Sequence, residues 1–204
     1  MIQLPRLYAI LDASRFSDTP AMLSVVEELQ AGGVTLLQYR NKKGNARRIL
    51  EDARQLKLRL AKSVRLIMND RADLCVAAGF DGVHVGQEDL SPEGARRVVG
   101  PDVILGISTH NPEQLRAADS TSGDYLAIGP VFATSSKEDP DPVVGLDGVR
   151  QARVLTSKPL VAIGGITREN ARSVIEAGAD AVAVISDLSP DPRKSAEEFF
   201  RILG

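Results

Sequence analysis

One short pattern occurs four times in the sequence: a glycine, a turn and an apolar run, each preceded by a helical pattern. The four copies cover residues 33–38, 79–85, 123–128 and 178–185. The copies recur about every 45 residues, a period typical of repeat architectures in which each unit is one supersecondary element. The pattern predicts two strands in each repeat and therefore a fold built from four quarters.

Eight apolar runs support this prediction. They cover residues 7–11, 34–39, 65–68, 82–85, 103–107, 125–128, 160–163 and 181–185. The runs are rich in valine and isoleucine and lack strict polar alternation, which is typical of parallel strands buried on both faces. We expect each run to be one strand.

Helical patterns separate the runs. Apolar residues recur at helical spacing in residues 20–30 and 45–62, and the helix over 73–78 should end at Gly79. Ser91 and Asn111 each precede a proline and a glutamate, a pattern typical of a helix start. Further helices are expected over 147–155, from Thr167 to the residue before Gly178, and over 194–202.

Eight strands alternating with eight helices predict an α/β fold, a single-domain (β/α)8 TIM barrel over residues 1–204. The alternative is a doubly wound open sheet. That fold would use five or six strands and a glycine-rich first turn, which the first strand lacks. We expect the active site at the carboxyl ends of the barrel strands.

Composition excludes several classes of protein. The chain has 25 basic and 27 acidic side chains, so its overall charge favours neither nucleic acid nor membrane. The single cysteine, Cys75, excludes an internal disulfide and is expected to be a buried core residue. With no long apolar stretch and no signal-peptide pattern, the protein is expected to be cytoplasmic. A homo-oligomer is compatible with the sequence.

Three polar side chains follow the second strand at spacing two. Gln38, Arg40 and Lys42 should therefore share one face of the extended chain. An amide, a guanidinium and an ammonium in a row suit a polyanion such as diphosphate. The alternative is a solvated charge cluster.

Two carboxylates, Asp70 and Asp89, follow the third and fourth strands. Because neighbouring parallel strands end at the same edge of the sheet, these residues should lie together and could hold Mg2+. The alternative for Asp70 is that it caps the next helix. His84 lies within a strand, where a hydrogen-bonded core position is expected, whereas His110 should lie at the active end.

The later strands lead into loops suited to phosphate. The sixth ends in a loop with Thr134, Ser136 and Lys137, followed by the acidic, proline-rich residues 138–142. The seventh strand ends in Gly164 and Gly165, whose backbone N–H groups should be open to a phosphate; the eighth ends at Ile185 and Ser186. We expect this phosphate site to lie across the barrel mouth from the strand-two residues.

These motifs resemble those of the thiamine phosphate synthase family and of its barrel relative, the thiazole tautomerase. The resemblance covers almost the whole chain. It rests on Gln38-x-Arg40-x-Lys42, Asn69-Asp70-Arg71, Gly82-Val-His84-Val-Gly-Gln-x-Asp89, Gly106-x-Ser108-Thr-His110-Asn111, Gly129-Pro-Val-Phe-x-Thr134-x-Ser136-Lys137 and Ala162-Ile-Gly-Gly165-Ile166. Departures from the family pattern are Tyr39 for a common leucine, Ala133 for a frequent proline and Ser136 for a threonine.

The resemblance implies an enzyme that joins a pyrimidine diphosphate to a thiazole phosphate and releases diphosphate. It implies that Gln38, Arg40, Lys42, Asn69, Ser108 and Lys137 bind the pyrimidine diphosphate, and that Thr134, Ser136, Gly165, Ile185 and Ser186 bind the thiazole phosphate. It also implies that Asp70 and Asp89 hold Mg2+. Catalysis would then depend on Arg40, Lys42, Ser108 and Lys137.

Two other functions remain open. A tautomerase of the same barrel family would use a histidine, for which His110 is the counterpart, but it has no diphosphate to bind. A non-catalytic barrel that binds a phosphate ligand would not need the complete set of residues for two anions. The aspartate pair and the strand-two residues favour the synthase over both.

Overall fold

A computed structural model describes residues 2–134, 141–189 and 191–204. Within these ranges eight strands alternate with eight α-helices. The strands are β1 (Leu7–Asp12), β2 (Leu36–Arg40), β3 (Arg65–Asn69), β4 (Gly82–Val85), β5 (Ile104–Thr109), β6 (Tyr125–Ile128), β7 (Leu160–Ile163) and β8 (Ala181–Val184). The helices are α1 (Thr19–Ala31), α2 (Ala46–Arg59), α3 (Ala72–Ala78), α4 (Pro92–Val99), α5 (Pro112–Asp119), α6 (Gly145–Leu155), α7 (Ala171–Glu176) and α8 (Pro192–Leu203).

All eight strands are parallel and close into a barrel in chain order, with β8 paired to β1. The prediction of a single-domain (β/α)8 barrel is confirmed, and the open sheet is excluded. No helix within the described ranges is both long and apolar enough to cross a membrane.

The strands are buried on both faces, and each face belongs to a different layer of the core. Along β1, Leu7, Ala9 and Leu11 pack outward against the helices. The alternate residues point into the barrel, where a second apolar cluster comprises Tyr8, Ile10, Leu36, Ile67, Tyr125, Ala127, Val161, Ala181 and Ala183. Cys75 is fully buried, as expected, and burial raises the pKa of its thiol to about 12.

In three of the four sequence repeats, an aspartate directly precedes the second strand of the repeat and connects it to the first. Asp81, Asp124 and Asp180 each accept a hydrogen bond from a backbone N–H near the start of the preceding strand, at 2.7 Å, 2.8 Å and 2.8 Å. Each carboxylate therefore joins the two strands of one quarter at the amino-terminal end of the barrel. Two of them also bind an arginine, Arg96 to Asp124 and Arg153 to Asp180.

The helix boundaries differ from the sequence prediction mainly at α7. This helix begins at Ala171, not at Thr167 as predicted. The Oδ1 of Asn170 accepts a hydrogen bond from the backbone N–H of Thr167 at 2.9 Å, and that bond holds residues 167–170 in a turn. Two short 3₁₀ helices, η1 (Ala13–Arg15) after β1 and η2 (Ser186–Leu188) after β8, were not predicted.

Candidate active site at the carboxyl ends of the strands

The strand-two residues share one face of the chain, as predicted, but they differ in what they bind. Gln38 is buried, and its Nε2 donates to the hydroxyl of Tyr8 at 2.9 Å. Arg40 forms an ion pair with Asp12. Lys42 extends further out, is half-exposed, and places its Nζ 2.6 Å from Oδ2 of Asp70. Tyr39 between them points outward and donates to Asp52 of α2 at 2.8 Å.

Asp12 is a site residue that the sequence did not single out. Its carboxylate is buried, pairs with Arg40 through Oδ2, and accepts from both the N–H and the hydroxyl of Ser14 through Oδ1. One carboxylate thus orients the Arg40 guanidinium and fixes η1. The only sequence signal for this role was a charged residue at the end of an otherwise apolar strand.

Asp70 and Asp89 meet at the ends of β3 and β4, as predicted. Asp89 accepts from the N–H of Gly86 at 2.7 Å. Its pKa is raised by burial and by the adjacent Asp70 carboxyl, with which it interacts directly, while Gly86 and Lys42 oppose the shift. Two carboxylates in contact repel each other unless a proton or a cation lies between them, and a divalent cation could contact both.

The alternative interpretation of Asp70 as a helix cap is wrong. The N-cap of α3 is Arg71, and no side chain caps this helix. The backbone of Asp70 has φ of +62°, and it is the one described residue other than glycine with a positive φ. This conformation is uncommon for residues other than glycine, although aspartate adopts it more readily than most, and such positions cluster at functional sites. The Asp70 carboxylate pairs with Lys42 from this conformation.

The protein supplies few ligands at this corner. Among the described residues, no group of three or more histidine, cysteine, aspartate or glutamate side chains could hold a metal. Mg2+ commonly binds through one or two carboxylates and fills its other positions with water and substrate phosphate oxygens. The carboxylate pair therefore fits Mg2+ and does not fit a zinc site.

A hydrogen-bonded chain of buried side chains runs beneath the site. The Tyr8 hydroxyl lies 3.0 Å from that of Tyr125, which lies 2.9 Å from Nδ1 of His84. The Nε2 of His84 lies 2.7 Å from the hydroxyl of Ser108. Burial lowers the pKa of His84 to about 4, so the ring is neutral at neutral pH. His84 is a hydrogen-bonded core residue, as predicted, but it binds a predicted site residue.

His110 is held by the loop that follows β6. Its Nδ1 lies 2.6 Å from the carbonyl oxygen of Gly129, which can only accept, so Nδ1 carries a proton. Its Nε2 lies 3.5 Å from Asp141. Thr134 is partly buried at the described end of this loop. The predicted site residues Ser136 and Lys137, and most of the acidic segment 138–142, lie outside the described residues.

The glycine pair after β7 is required by packing. Gly164 and Gly165 have φ of +96° and +65°. A Cβ on Gly164 would lie 2.5 Å from Cβ of Pro130, and one on Gly165 would lie 2.5 Å from the carbonyl oxygen of Ala133. The close approach of the β6 loop therefore explains both glycines, and a phosphate contact at Gly165 stays a prediction.

The predicted phosphate residues lie at different distances from strand two around the barrel mouth: Gly165 follows β7, three strands away, whereas Ser186 is nearer than expected. Because β8 pairs with β1 and β1 with β2, only one strand separates Ser186 from Arg40. The turn after β1 fills this interval, and Nη1 of Arg15 donates to the hydroxyl of Ser186 at 2.7 Å. Arg15 is a second residue that sequence reasoning missed, since no recognisable motif surrounds it.

Four predicted residues remain without a demonstrated role. Asn69 is partly buried beside His84 in the β3–β4 register. Ile185 contacts the barrel interior, and Ser186 begins η2, which Arg168 holds by pairing with Asp187 at 3.0 Å. Ser108 takes part in the buried chain. Their positions at the carboxyl ends of β3, β5 and β8 agree with a site there, and their contacts with substrate stay predictions.

Comparisons with known proteins identify the family of the chain. The family model for thiamine monophosphate synthase matches residues 7–188. The chain belongs to this family. It is 66% identical to the thiamine-phosphate synthase of Koribacter versatilis over 99% of this chain and 97% of that protein. It is 44% identical to the thiamine-phosphate synthase of Chloroflexus aurantiacus over 89% of this chain and 83% of that protein.

A solved structure extends the match to three dimensions. The thiamine phosphate pyrophosphorylase from Pyrococcus furiosus superimposes with a TM-score of 0.86 at 34% identity, covering 97% of this chain and 95% of that one. The resemblance inferred from the motifs is therefore confirmed at the level of family and fold, and the homologues are transferases.

Proposed function

We propose that the protein joins 4-amino-5-hydroxymethyl-2-methylpyrimidine diphosphate to 4-methyl-5-(2-phosphooxyethyl)thiazole, forming thiamine phosphate and diphosphate. The observation that carries this proposal is the corner formed by Lys42, Asp70 and Asp89 beside Arg40. A tautomerase would have no diphosphate to place there. Family membership supports the same assignment.

The reaction requires little acid–base chemistry. The bond between the pyrimidine methylene and the diphosphate oxygen breaks, and both electrons leave with diphosphate. The electron-rich aminopyrimidine stabilises the resulting methylene cation, and the thiazole nitrogen then donates its lone pair to form the new C–N bond. The main task of the protein is to stabilise charge on the leaving group and to hold the nucleophile close.

The strand-two cations meet this requirement. Arg40 is oriented by the buried Asp12, so its remaining N–H groups are arranged before substrate binds. Lys42 is half-exposed and pairs with Asp70, so its ammonium lies beside the carboxylates and is open to a diphosphate from solvent. Lys137, which lies outside the described residues, is proposed as a third cation, and Ser108 as a hydrogen-bond donor.

We assign Asp70 and Asp89 as the residues that would hold Mg2+. When bound, this ion would neutralise the charge that develops on the diphosphate oxygens. The two carboxylates would be the protein ligands of this ion, and its other ligands would be water and substrate phosphate oxygens. Burial and the adjacent Asp70 carboxyl raise the pKa of Asp89, and a bound cation would offset both by stabilising the ionised carboxylates.

The second substrate is assigned to the neighbouring end of β7 and β8. Its phosphate does not change charge during the reaction, so this region needs affinity and orientation only. Ser186, the backbone near Gly165 and Ile185, and the hydroxyls of Thr134 and Ser136 are the proposed contacts. The structure places Ser186 one strand away from the end of β2, which suits two substrates that must react with each other.

The direct test is an assay with purified protein, both substrates and Mg2+. We expect thiamine phosphate and diphosphate to appear in equal amounts, and neither to appear when either substrate is left out. Conversion of a thiazole phosphate isomer without the pyrimidine substrate would instead support a tautomerase. Tight binding of either substrate with no turnover would support a non-catalytic barrel.

A further inference from the structure

The side chains inside the barrel form one continuous hydrogen-bonded chain between two predicted substrate residues on different strands. It runs from Gln38 on β2 through Tyr8, Tyr125 and His84 to Ser108 on β5. The three intermediate residues are all at least 93% buried. The proposed reaction uses the two ends and assigns nothing to the middle.

The proton positions in this chain follow from the donors and acceptors available. Gln38 donates through Nε2 to Tyr8. The single proton of the Tyr8 hydroxyl then needs an acceptor, and the oxygen of Tyr125 at 3.0 Å is its one other partner among the described residues. A buried hydroxyl that does not donate loses a hydrogen bond. Tyr8 therefore donates to Tyr125.

The same reasoning fixes the remaining protons. Because Tyr125 accepts from Tyr8, its own proton goes to Nδ1 of His84. A neutral imidazole that accepts at Nδ1 carries its proton on Nε2. Nε2 therefore donates to the Ser108 oxygen at 2.7 Å. The proton of Ser108 is not used within the chain and is free for a ligand at the barrel mouth.

A glycine on β5 leaves the space that the hydrogen-bonded side chains occupy. Gly106 lies on β5, two residues before Ser108. A Cβ at this position would lie 2.1 Å from Cζ and 2.3 Å from the hydroxyl of Tyr125, and 2.5 Å from Nδ1 of His84. The rings of His84 and Tyr125 stack above it, with centroids 5.5 Å apart. Any larger residue than glycine would displace the hydrogen-bonded pair.

We propose that Tyr8, Tyr125 and His84 are positioning residues that hold the Ser108 hydroxyl as a hydrogen-bond donor toward the substrate. Because the Nε2 of Gln38 donates to Tyr8, the Oε1 of Gln38 is the acceptor that this hydrogen-bonded chain presents at its β2 end. The two ends are coupled: turning the Gln38 amide over would reverse every donor, and Ser108 would then present a lone pair. The catalytic part of this proposal rests on the proposed function, whereas the proton arrangement does not.

The proton arrangement can be measured without activity. The protein contains two histidines, so long-range 1H–15N spectra of the ¹⁵N-histidine-labelled full chain at pH 7.5 should give two ring systems, and His110→Gln identifies the His84 signals. We expect His84 to be neutral with its proton on Nε2. A His84 ring protonated on Nδ1 would overturn the proposal.

Two hydroxyl deletions provide a matched comparison. Tyr125→Phe removes the donor to Nδ1, so the fixed tautomer should give way to a mixture. Tyr39→Phe deletes an equally buried hydroxyl that binds Asp52 and Asn41 outside the barrel, and it should leave the His84 signals unchanged. Tyr8→Phe is a second variant, in which Tyr125 keeps His84 as its partner, so the proton of His84 should stay on Nε2. An unchanged tautomer in Tyr125→Phe, or a ring protonated on Nδ1 in Tyr8→Phe, would contradict the proposal.

Kinetics test whether the chain acts through Ser108. Tyr125→Phe should lower kcat by about tenfold, the effect of one misdirected hydrogen bond. In a Ser108→Ala background the same substitution should have no further effect, because the group that it orients is absent. A full additional loss in that background would show that Tyr125 has a merely structural role. If the wild-type protein made no thiamine phosphate, the proposed function would fail while the tautomer measurement remained decisive.

Discussion

The two ends of the barrel use aspartate in opposite ways. At the amino-terminal end, Asp81, Asp124 and Asp180 each accept a backbone hydrogen bond, and the last two also pair with an arginine. At the carboxyl end, Asp70 and Asp89 face each other and share a single lysine. The first set is electrostatically satisfied and joins strands, whereas the second has excess negative charge that a ligand can relieve. Position along the strand therefore separates stability from function.

The largest effect expected from this difference is loss of turnover at the carboxyl end. Asp70→Asn or Asp89→Asn should lower kcat by about 10²-fold or more, comparable with removing a group that stabilises transition-state charge. Steady-state kinetics with saturating substrates and Mg2+ measure the effect. Near-normal turnover in both variants, or full activity in excess chelator, would remove the metal from the mechanism.

The stability of Asp89→Asn should move in the opposite direction from its activity. The folded protein raises the pKa of Asp89, so this carboxyl favours the fold only at low pH, and that contribution is lost as pH rises through the raised pKa. Without Mg2+ the variant should therefore melt at or above the wild-type temperature at pH 7, and this advantage should shrink as the solution is acidified. A variant that melts lower at pH 7 would contradict the comparison between the two ends.

Arg40→Lys tests geometry at the carboxyl end. Lysine keeps the charge but loses the planar fork that binds Asp12 and substrate together. The loss should be about 1.5–3 kcal/mol, the range for a hydrogen bond to a charged group. It should appear in kcat/KM for the pyrimidine diphosphate. An unchanged enzyme would reduce Arg40 to a general source of positive charge.

Asp124→Ala tests the amino-terminal end. The substitution removes the acceptor of the Leu105 N–H and the partner of Arg96, and should lower the free energy of unfolding by about 1–3 kcal/mol. Denaturant unfolding measures this loss. The kcat of the folded variant should equal that of the wild type, and a large fall in kcat would show that the two ends are not independent.

The smallest effect is expected at the turn between the two substrate regions. Arg15→Gln removes the cation that binds Ser186, so KM for the thiazole phosphate should rise by about tenfold, equivalent to roughly 1.4 kcal/mol. KM for the pyrimidine diphosphate should not change. The matched control is Arg150→Gln, an exposed arginine on α6 that pairs with Asp147. Equal changes for both substrates would place Arg15 outside the phosphate site.

Most of the fold was accessible from the sequence because valine-rich runs and glycine-terminated helices repeat with a fixed period. The side chains inside the barrel were harder to predict from the sequence. Strands buried on both faces lose the polar alternation that separates inside from outside, so Tyr8 and Tyr125 looked like ordinary core residues. Their hydroxyls became informative only when the barrel brought β1, β4 and β6 together.

The site was predictable where polar residues lie at strand ends, as at Arg40, Asp70 and Asp89. It was less predictable where the role depends on closure of the barrel. Asp12 and Arg15 are single charged residues near one strand end, and only the pairing of β8 with β1 places them between the two substrate regions. The pair Gly164 and Gly165 shows a limit of a different kind, because packing against the β6 loop alone requires both glycines, so their presence in the sequence does not by itself indicate a phosphate site.

Calorimetric binding of diphosphate tests the central claim about the carboxyl end most directly. Diphosphate is titrated into the wild-type protein and into Asp89→Asn, each with Mg2+ and with excess chelator. We predict Mg2+-dependent binding to the wild type, and in the variant a loss of most of the difference between the two conditions. Equal affinity of the wild type with and without Mg2+, or an undiminished Mg2+ effect in the variant, would contradict the assignment of the aspartate pair.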